Sequence, residues 1–284
     1  MIELKGKPVA DFIYQQIETK LEKWSEHKWA RPHLTVILVG ADPASQVYVQ
    51  HKQKACEKLG FKSTLIQLPD SISEKDLTEK LQYLNNDPSV DAILMQLPLP
   101  AHLPTKKMSD LIAANKDADA LTSSSLGLLV TAQQMVASCT PSGIMEILKF
   151  YGLDVAHKNV LVIGRSLIVG FPLFHLLNQK NATVTLAHSK TQNLKLLIKE
   201  FDFVFVAIGK AQYFKASDFK KGAVVIDVGM HRLESGLVGD VQAEGAVGHL
   251  SALTPVPGGV GPTTIALLMS NTFKLAEKSR MAPS

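Results

Sequence analysis

A short apolar strand that runs into a glycine turn and a helix is the feature that most restricts the fold of this chain. Residues 159–172 read Asn-Val-Leu-Val-Ile-Gly-Arg-Ser-Leu-Ile-Val-Gly-Phe-Pro. We predict a buried strand from Val160 to Ile163, a tight turn at Gly164 and a helix that begins near Ile168. A helix N-terminus offers unpaired backbone N–H groups, so this turn can hold a phosphate, and Gly170 would let the helix pack closely on the strand.

The spacing of this turn matches only part of the dinucleotide-binding fingerprint, because G-x-G-x-x-G would place glycine at Ser166. An ordinary strand-to-helix turn with two packing glycines explains the stretch equally well. A second strand, 182–187, ends about two dozen residues after Gly164, where Rossmann domains read the adenosine ribose. The segment 188–190 reads His-Ser-Lys instead of offering Asp or Glu, and Arg165 lies in the turn itself. These residues favour the 2′-phosphate of NADP over NAD.

Strands and helices alternate along the whole chain, which predicts parallel sheets in two α/β domains. In the first hundred residues we predict a helix after Pro8, a helix capped by Ser45 and ended by Gly60, and a helix opened by Ser73. The predicted strands are 34–39, 63–68 and 91–96 in the first half, and others near 160, 184, 203–207 and 223–226 in the second.

Composition excludes several classes of protein. The 284 residues are 46% apolar and 20% charged with a net charge of +4, which is typical of a globular enzyme and gives no case for nucleic-acid binding. Cys56 and Cys139 form no C-x-x-C motif, and the nine histidines are dispersed, so we expect no bound metal. No apolar run is long enough for a membrane span and the N-terminus has no signal-peptide pattern, so a cytoplasmic protein is expected.

Two regions carry candidate chemistry. Tyr48 and Lys52 lie one helical turn apart, and Gln96 ends a predicted strand, so all three could meet at the carboxyl edge of one sheet. A lysine drawn into such a semi-apolar cleft would have a lowered pKa and could act as general acid or base, although the spacing alone favours a solvated surface pair. The loop 254–264 contains three prolines and three glycines before a helix, a combination that favours ligand contact over a simple turn.

Several segments together resemble the bifunctional methylenetetrahydrofolate dehydrogenase/cyclohydrolase family, in the family's order and over nearly the whole chain. They are the stretch Val39 to Lys52, Gln96-Leu-Pro-Leu-Pro100, Lys116-Asp-Ala-Asp119, Cys139-Thr-Pro141, Gly164-Arg-Ser-Leu-Ile-Val-Gly170, His188-Ser-Lys190 and Pro255-Val-Pro-Gly-Gly-Val-Gly-Pro262. By pattern alone Asp117 and Asp119 would be read as turn residues.

The resemblance implies an enzyme with two activities. NADP⁺ would oxidise 5,10-methylenetetrahydrofolate to the methenyl compound, and hydrolysis would then give 10-formyltetrahydrofolate. It implies catalytic roles for Lys52, Gln96 and Tyr48. The substrate-binding residues it implies are Ser45, Tyr48, Asp119, Pro257 and Gly258, and the cofactor-binding residues are Gly164, Arg165, Ser166, Ser189 and Met230.

The same resemblance implies the domain plan. Residues 1–140 and 263–284 would form the folate-binding catalytic domain, since the family sends the last helix back to it. Residues 141–262 would form a Rossmann-like NADP-binding domain, with a folate cleft between the two. Tetrahydrofolate derivatives would be the substrates, and the protein would be a homodimer with neither nucleic acid nor membrane as a partner.

Two departures from the family pattern affect the site. Ala120 stands where the family has glycine, which would cost on the order of 1 kcal/mol if that position has positive φ. Met95 replaces a smaller residue before Gln96 and is expected to change packing only. The alternatives are a monofunctional dehydrogenase and a non-catalytic NADP-binding sensor. Both are disfavoured because Tyr48, Lys52 and Gln96 are all present.

Overall fold

The computed structural model of the chain describes residues 1–234 and 236–281, which divide into two compact units. We call residues 1–11 and 138–264 the six-stranded unit, and residues 12–137 with those from 265 onward the three-stranded unit. The elements in chain order are β1 Ile2–Glu3, α1 Gly6–Glu26, β2 His33–Val39, α2 Pro43–Leu59, β3 Lys62–Leu68, α3 Glu74–Asn86, β4 Ala92–Met95, α4 Thr105–Ser109, α5 Ser123–Val130, α6 Cys139–Phe150, β5 Asn159–Ile163, α7 Gly170–Asn178, β6 Thr183–Ala187, α8 Leu194–Leu197, β7 Phe203–Val206, β8 Phe214–Lys215, β9 Val224–Asp227, β10 His231–Leu233, β11 Gly236–Val238, β12 Val241–Gln242, β13 Ala252–Leu253 and α9 Val260–Met281.

The three-stranded unit contains a parallel sheet in the order β3-β2-β4. All seven residues of β2 are buried, as expected for the central strand of a covered parallel sheet. The buried side chains of Ile37, Ile93 and Leu81 belong to one apolar cluster with Met108. The α/β architecture predicted for this half of the chain is therefore confirmed.

The helix that follows β2 begins differently from the prediction. The side chain of Asp42, not Ser45, caps α2, because its carboxylate accepts a hydrogen bond of 2.8 Å from the Ser45 backbone N–H. Pro43 occupies the first helical turn, where its missing N–H costs nothing, and this proline is the signal that the cap precedes it. The predicted end is confirmed, since Gly60 has φ of 64° at the C-terminus. The predicted cap of α3 is also confirmed, with Ser73 accepting from the Asp76 N–H.

The six-stranded unit contains a parallel sheet in the order β1-β13-β9-β7-β5-β6. Each of its four longer strands was expected from an apolar run, whereas the two-residue strands β1 and β13 were not. β1 pairs in parallel with β13, as Ile2 aligns with Ala252. Residues 1–11 consequently cluster with residues 138–264, whereas the sequence expectation had assigned them to the other domain.

The last helix, α9, begins at Val260, three residues before the expected start at Thr263. Its residues from 265 onward cluster with the three-stranded unit. There Asn271 donates to the backbone oxygens of Ala118 and Ala137 through its side-chain amide. Of the expected segment 263–284, residues 282–284 lie outside the described residues. Among the helices in the described part of the chain, none is both long and apolar enough to span a membrane.

Candidate active site

A lysine and an amide meet at the carboxyl edge of the three-stranded sheet. Lys52, on the third turn of α2, donates a hydrogen bond of 2.8 Å from Nζ to Oε1 of Gln96. Gln96 follows β4 directly, and its own amide nitrogen donates to the Leu97 carbonyl at 2.7 Å. The second bond fixes which end of the amide faces the lysine, so Gln96 presents an acceptor to Nζ. The structure therefore brings these two predicted residues together.

Tyr48 and Ser45 lie on the same helix as Lys52, nearer its N-terminus. The ring of Tyr48 is 37% exposed, and partial burial raises the pKa of its hydroxyl above the ordinary value. Ser45 is 3% exposed, and its backbone N–H holds the pKa of the Asp42 carboxyl below its usual range. An exposed aromatic face beside the lysine is suited to stacking on a flat heteroaromatic ligand.

Asp119 lies beside the same end of β4. Together with Asp117, Met95 and Leu97 it lines a small cavity in the three-stranded unit. Asp117 is buried and accepts hydrogen bonds from the Thr122 N–H and the Ser125 hydroxyl, so its carboxylate holds the start of α5. Burial raises the pKa of Asp117. Asp117 is thus occupied within the protein, whereas Asp119 faces the cavity.

Ala120, the residue after Asp119, has the positive φ at which alanine is less favourable than the glycine of the family pattern. Ala120 adopts φ of 51°, in the left-handed region that favours glycine. Its backbone N–H is 3.3 Å from the Asp117 carbonyl, which closes the turn. The turn that presents Asp119 is therefore formed in this chain with alanine in place of glycine, at a conformational cost of about 1 kcal/mol.

In the six-stranded unit, the glycine turn after β5 leaves no room for a side chain. Gly164 has φ of 124°, and a Cβ at this position would lie 2.2 Å from the Ala207 carbonyl oxygen. A Cβ on Gly170 would lie 1.8 Å from the Gly164 oxygen, so the predicted close packing of helix on turn is present. The helix α7 begins at Gly170 rather than near Ile168. The hydroxyl of Ser166 accepts from the Val169 N–H at 3.2 Å, which keeps residues 167–169 in a turn instead.

The remaining predicted cofactor residues lie at the carboxyl ends of neighbouring strands. Arg165 follows β5 and Ser189 follows β6, and both side chains are exposed. Met230, which is 46% exposed, follows β9. Because β9, β7, β5 and β6 are successive neighbours in the sheet, these side chains lie along one edge. Ligands bind at this edge in open parallel sheets.

The Pro- and Gly-rich loop packs on the start of the chain. The Gly258 carbonyl accepts a hydrogen bond of 2.8 Å from the Gly6 N–H, and a Cβ on Gly6 would lie 1.8 Å from the Gly259 oxygen. Gly258 itself has φ of 102° and lies next to Pro257. The loop is held by backbone contacts within the six-stranded unit and leads directly into α9.

Two buried carboxylates that sequence reasoning missed lie beside Met230. Asp227 ends β9 and accepts from the backbone N–H groups of Gly229, Asp240 and Val241 at 2.8–3.0 Å. Asp240 is fully buried and its partners include the ring of His231, 2.7 Å away. Burial raises the pKa of Asp227 to about 6. The available signal was an acidic residue at the end of an otherwise apolar strand, Val-Val-Ile-Asp.

These features define a class of protein. A parallel sheet with a glycine turn at its carboxyl edge is the architecture of a dinucleotide-binding domain, and the second parallel sheet carries at its edge a lysine and an amide, groups of the type used for proton transfer. The chain is therefore an α/β enzyme of two units that uses a dinucleotide cofactor.

Comparison with known proteins identifies the family. Residues 4–119 match the model of the tetrahydrofolate dehydrogenase/cyclohydrolase catalytic domain, and residues 138–280 match that of the NAD(P)-binding domain of the same family. The chain belongs to the tetrahydrofolate dehydrogenase/cyclohydrolase family. These matches confirm the predicted family, the α/β fold and the assignment as a bifunctional dehydrogenase/cyclohydrolase. The predicted nicotinamide cofactor is also confirmed, because the second matched domain is an NAD(P)-binding domain.

Individual relatives match over nearly their full length. The bifunctional protein FolD of Bdellovibrio bacteriovorus is 49% identical over 99% of this chain and 98% of its own. Among solved structures, bifunctional FolD of Campylobacter jejuni has a TM-score of 0.94 at 40% identity, covering 98% of this chain and 99% of its own. FolD of Trypanosoma brucei, solved with NADP cofactor and an inhibitor, has a TM-score of 0.93 at 33% identity, covering 99% of both chains.

Proposed function

We propose that the chain oxidises 5,10-methylenetetrahydrofolate with NADP⁺ and hydrolyses the resulting methenyl compound to 10-formyltetrahydrofolate. The observation that carries the proposal is the hydrogen bond of 2.8 Å between Lys52 Nζ and Gln96 Oε1 at the carboxyl edge of a parallel sheet. Hydrolysis adds one water to a cation and releases one proton, so it needs a group that accepts and delivers protons. Loss of hydride from a carbon between two amine nitrogens needs positioning instead.

Lys52 is the general acid/base in this proposal, and Gln96 positions it. The amide oxygen of Gln96 holds Nζ in one place without adding a charge. Lys52 Nζ takes the proton of the attacking water and passes it on as the ring opens. Tyr48 contributes its exposed ring as a stacking surface for the pterin, beside the reacting carbon.

The remaining substrate contacts are assigned by position. Asp119 lies beside the carboxyl end of β4, and its carboxylate can accept from the amino and ring N–H groups of a pterin. Ser45, at the start of α2, lies on the helix that carries Tyr48 and Lys52. We assign Pro257 and Gly258 to substrate contact because a loop of prolines and glycines just before a helix can present its backbone groups to a ligand.

The residues of the six-stranded unit fit a nucleotide. Gly164 and Gly170 leave a turn that any Cβ would fill, beside the N-terminus of α7. We assign the exposed cation of Arg165 and the hydroxyl of Ser189 to the 2′-phosphate, and Ser166, which follows Arg165 in the turn after β5, to the nucleotide as well. This charge favours NADP over NAD. When bound, NADP⁺ supplies the hydride acceptor, and the side chain of Met230 lies at the far end of the same sheet edge.

The wider assignments follow the family. We assign residues 1–140 and 263–284 to folate binding and catalysis and residues 141–262 to NADP binding. We further propose a homodimer in the cytoplasm that engages neither nucleic acid nor membrane. The scattered basic residues and a net charge of +4 support the exclusion of nucleic acid.

The test is to mix the purified protein with methylenetetrahydrofolate and NADP⁺, with NAD⁺ as the control, and to follow the reduced nicotinamide and 10-formyltetrahydrofolate separately. Both products with NADP⁺ support the proposal. Reduced cofactor with accumulation of the methenyl compound would show a monofunctional dehydrogenase. Equal rates with NAD⁺ would remove the assigned role of Arg165 and Ser189.

A further inference from the structure

The fully buried carboxylate of Asp240 joins two backbone segments of the six-stranded unit. Its Oδ2 accepts from the N–H groups of Ile208 and Gly209 at 2.7 and 3.2 Å, and its Oδ1 accepts from that of Lys210 at 2.9 Å. Oδ1 also accepts from Nε2 of His231 at 2.7 Å. Three donors thus come from the segment after β7 and one from the residue that begins β10.

His231 is the accessible member of this cluster, with 21% of its side chain exposed against 0% for Asp240. It follows Met230 directly in the chain. The bond from its ring therefore fixes the backbone on the carboxyl side of Met230, while the N–H of Gly229 is held on the other side by Asp227. Met230 therefore lies between Gly229 and His231, each of which donates a hydrogen bond to a buried carboxylate.

The order of the strands in the sheet indicates which part of a bound dinucleotide would lie near Met230 and the segment 208–210. The adenosine ribose of a bound dinucleotide is read after the second strand of such a domain, here β6, and the pyrophosphate lies at the glycine turn after β5. In the order β9-β7-β5-β6, the rest of the ligand extends from β5 toward β7 and β9. The segments that end those two strands are 207–210 and 228–231, which Asp240 and His231 join.

We propose that His231 and Asp240 are a positioning pair that aligns Met230 and the segment 208–210 for the nicotinamide half of the cofactor. The inference rests on the proposed use of NADP. The pair touches the backbone rather than the reacting atoms, so it acts through the segments that it joins. A nucleotide that lacks the nicotinamide half would not depend on it.

The decisive variants are His231→Leu, which removes the ring donor at similar volume, and His231→Gln, whose amide can donate to the same oxygen. Binding of NADPH is measured by nucleotide fluorescence and binding of 2′,5′-ADP by competition. We expect His231→Leu to weaken NADPH binding about tenfold, since a lost hydrogen bond to a charged group has effects of that size. Binding of 2′,5′-ADP should change less than about twofold, and His231→Gln should restore most of the NADPH affinity.

Thermal unfolding of both variants and hydrolysis of methenyltetrahydrofolate without nucleotide report whether the fold is intact. Equal loss of NADPH and 2′,5′-ADP binding would overturn the proposal, because the pair would then merely support the whole unit. Unchanged NADPH affinity in His231→Leu would overturn it as well. A wild-type protein that binds neither nucleotide would remove the proposed cofactor itself, which is a different failure visible before any variant is compared.

Discussion

The polar groups of the two units are held in contrasting ways. In the three-stranded unit, Lys52 Nζ has one described side-chain partner, the oxygen of Gln96, and the pair is only partly buried. In the six-stranded unit, Asp227 and Asp240 are 2% and 0% exposed, and each accepts three hydrogen bonds from backbone N–H groups, to which the ring of His231 adds a fourth at Asp240. A side chain with one bond at the edge of solvent can exchange that bond for a ligand. A buried carboxylate surrounded by backbone donors can only hold the backbone.

The difference distinguishes side chains that can take part in a reaction from side chains that stabilise the fold. Removing a group of the first kind should abolish a reaction and leave the fold alone, because few native contacts are lost. Removing a group of the second kind should destabilise the fold, because several buried donors lose their acceptor. Four changes test this contrast.

The largest effect is expected for Lys52→Met. Hydrolysis of methenyltetrahydrofolate should fall by about 10²- to 10⁴-fold, the usual contribution of a positioned acid or base. NADPH affinity and the midpoint of thermal unfolding should stay close to the wild-type values. Lys54→Met, at an exposed position two residues along α2, is the matched control. Hydrolysis that survives in Lys52→Met would show that another group transfers the proton.

Asp240→Asn should have the opposite profile. An amide nitrogen would face at least one of the N–H donors from 208–210, so we expect a loss of about 2–3 kcal/mol in the free energy of unfolding. Urea unfolding measures this loss. Asp202→Asn, which breaks an exposed ion pair with Lys220, is the control and should cost less than about 1 kcal/mol. Equal costs for the two variants would contradict the structural role of Asp240.

The pH dependence of stability should identify Asp227. Burial raises its pKa from the ordinary 3.8 to about 6 in the native state, so between these values the native protein binds more protons than the unfolded chain. The contribution of this group to the free energy of unfolding is therefore present at low pH and is lost as pH rises through about 6. Urea unfolding of wild type and Asp227→Asn between about pH 3 and about pH 7 isolates this contribution, because these limits lie roughly one unit outside the window from 3.8 to about 6. A difference between the two curves that does not change with pH would refute it.

The smallest effect concerns the turn beside Asp119. Ala132 and Ala120 both have positive φ, at 56° and 51°, but Ala132 is exposed and Ala120 is 2% exposed. Ala132→Gly should stabilise the protein by about 0.5–1 kcal/mol by relieving left-handed strain. Ala120→Gly should gain less, because it also loses a buried methyl group worth about 0.8 kcal/mol. Thermal unfolding compares the two variants, and a larger gain at Ala120 would show that its methyl group is poorly packed.

Local pattern predicted much of this molecule correctly. The long strands β2 and β5 were evident from apolar runs, and the end of α2 from Gly60, because these signals depend on neighbours in the chain. The proximity of Lys52 and Gln96 followed from one rule, that strands of a parallel sheet end at a shared edge. The predicted N-cap of α2 was wrong, because the helix is capped by Asp42 and not by Ser45. Pro43 indicated the correct position, since proline favours the first turn after the cap.

Other features depend on partners far along the chain. Asp240 meets donors some thirty residues earlier, at 208–210, and β1 joins β13 across about 250 residues. No periodicity reports such pairs, because a two-residue strand or a single aspartate gains its stability only from the element it contacts. The sequence by itself determined the α/β alternation, the glycine turn and the lysine–amide pair. Only the tertiary structure decided that Asp227 and Asp240 are buried and bonded to backbone N–H groups, because burial and backbone donors arise when separate segments pack together.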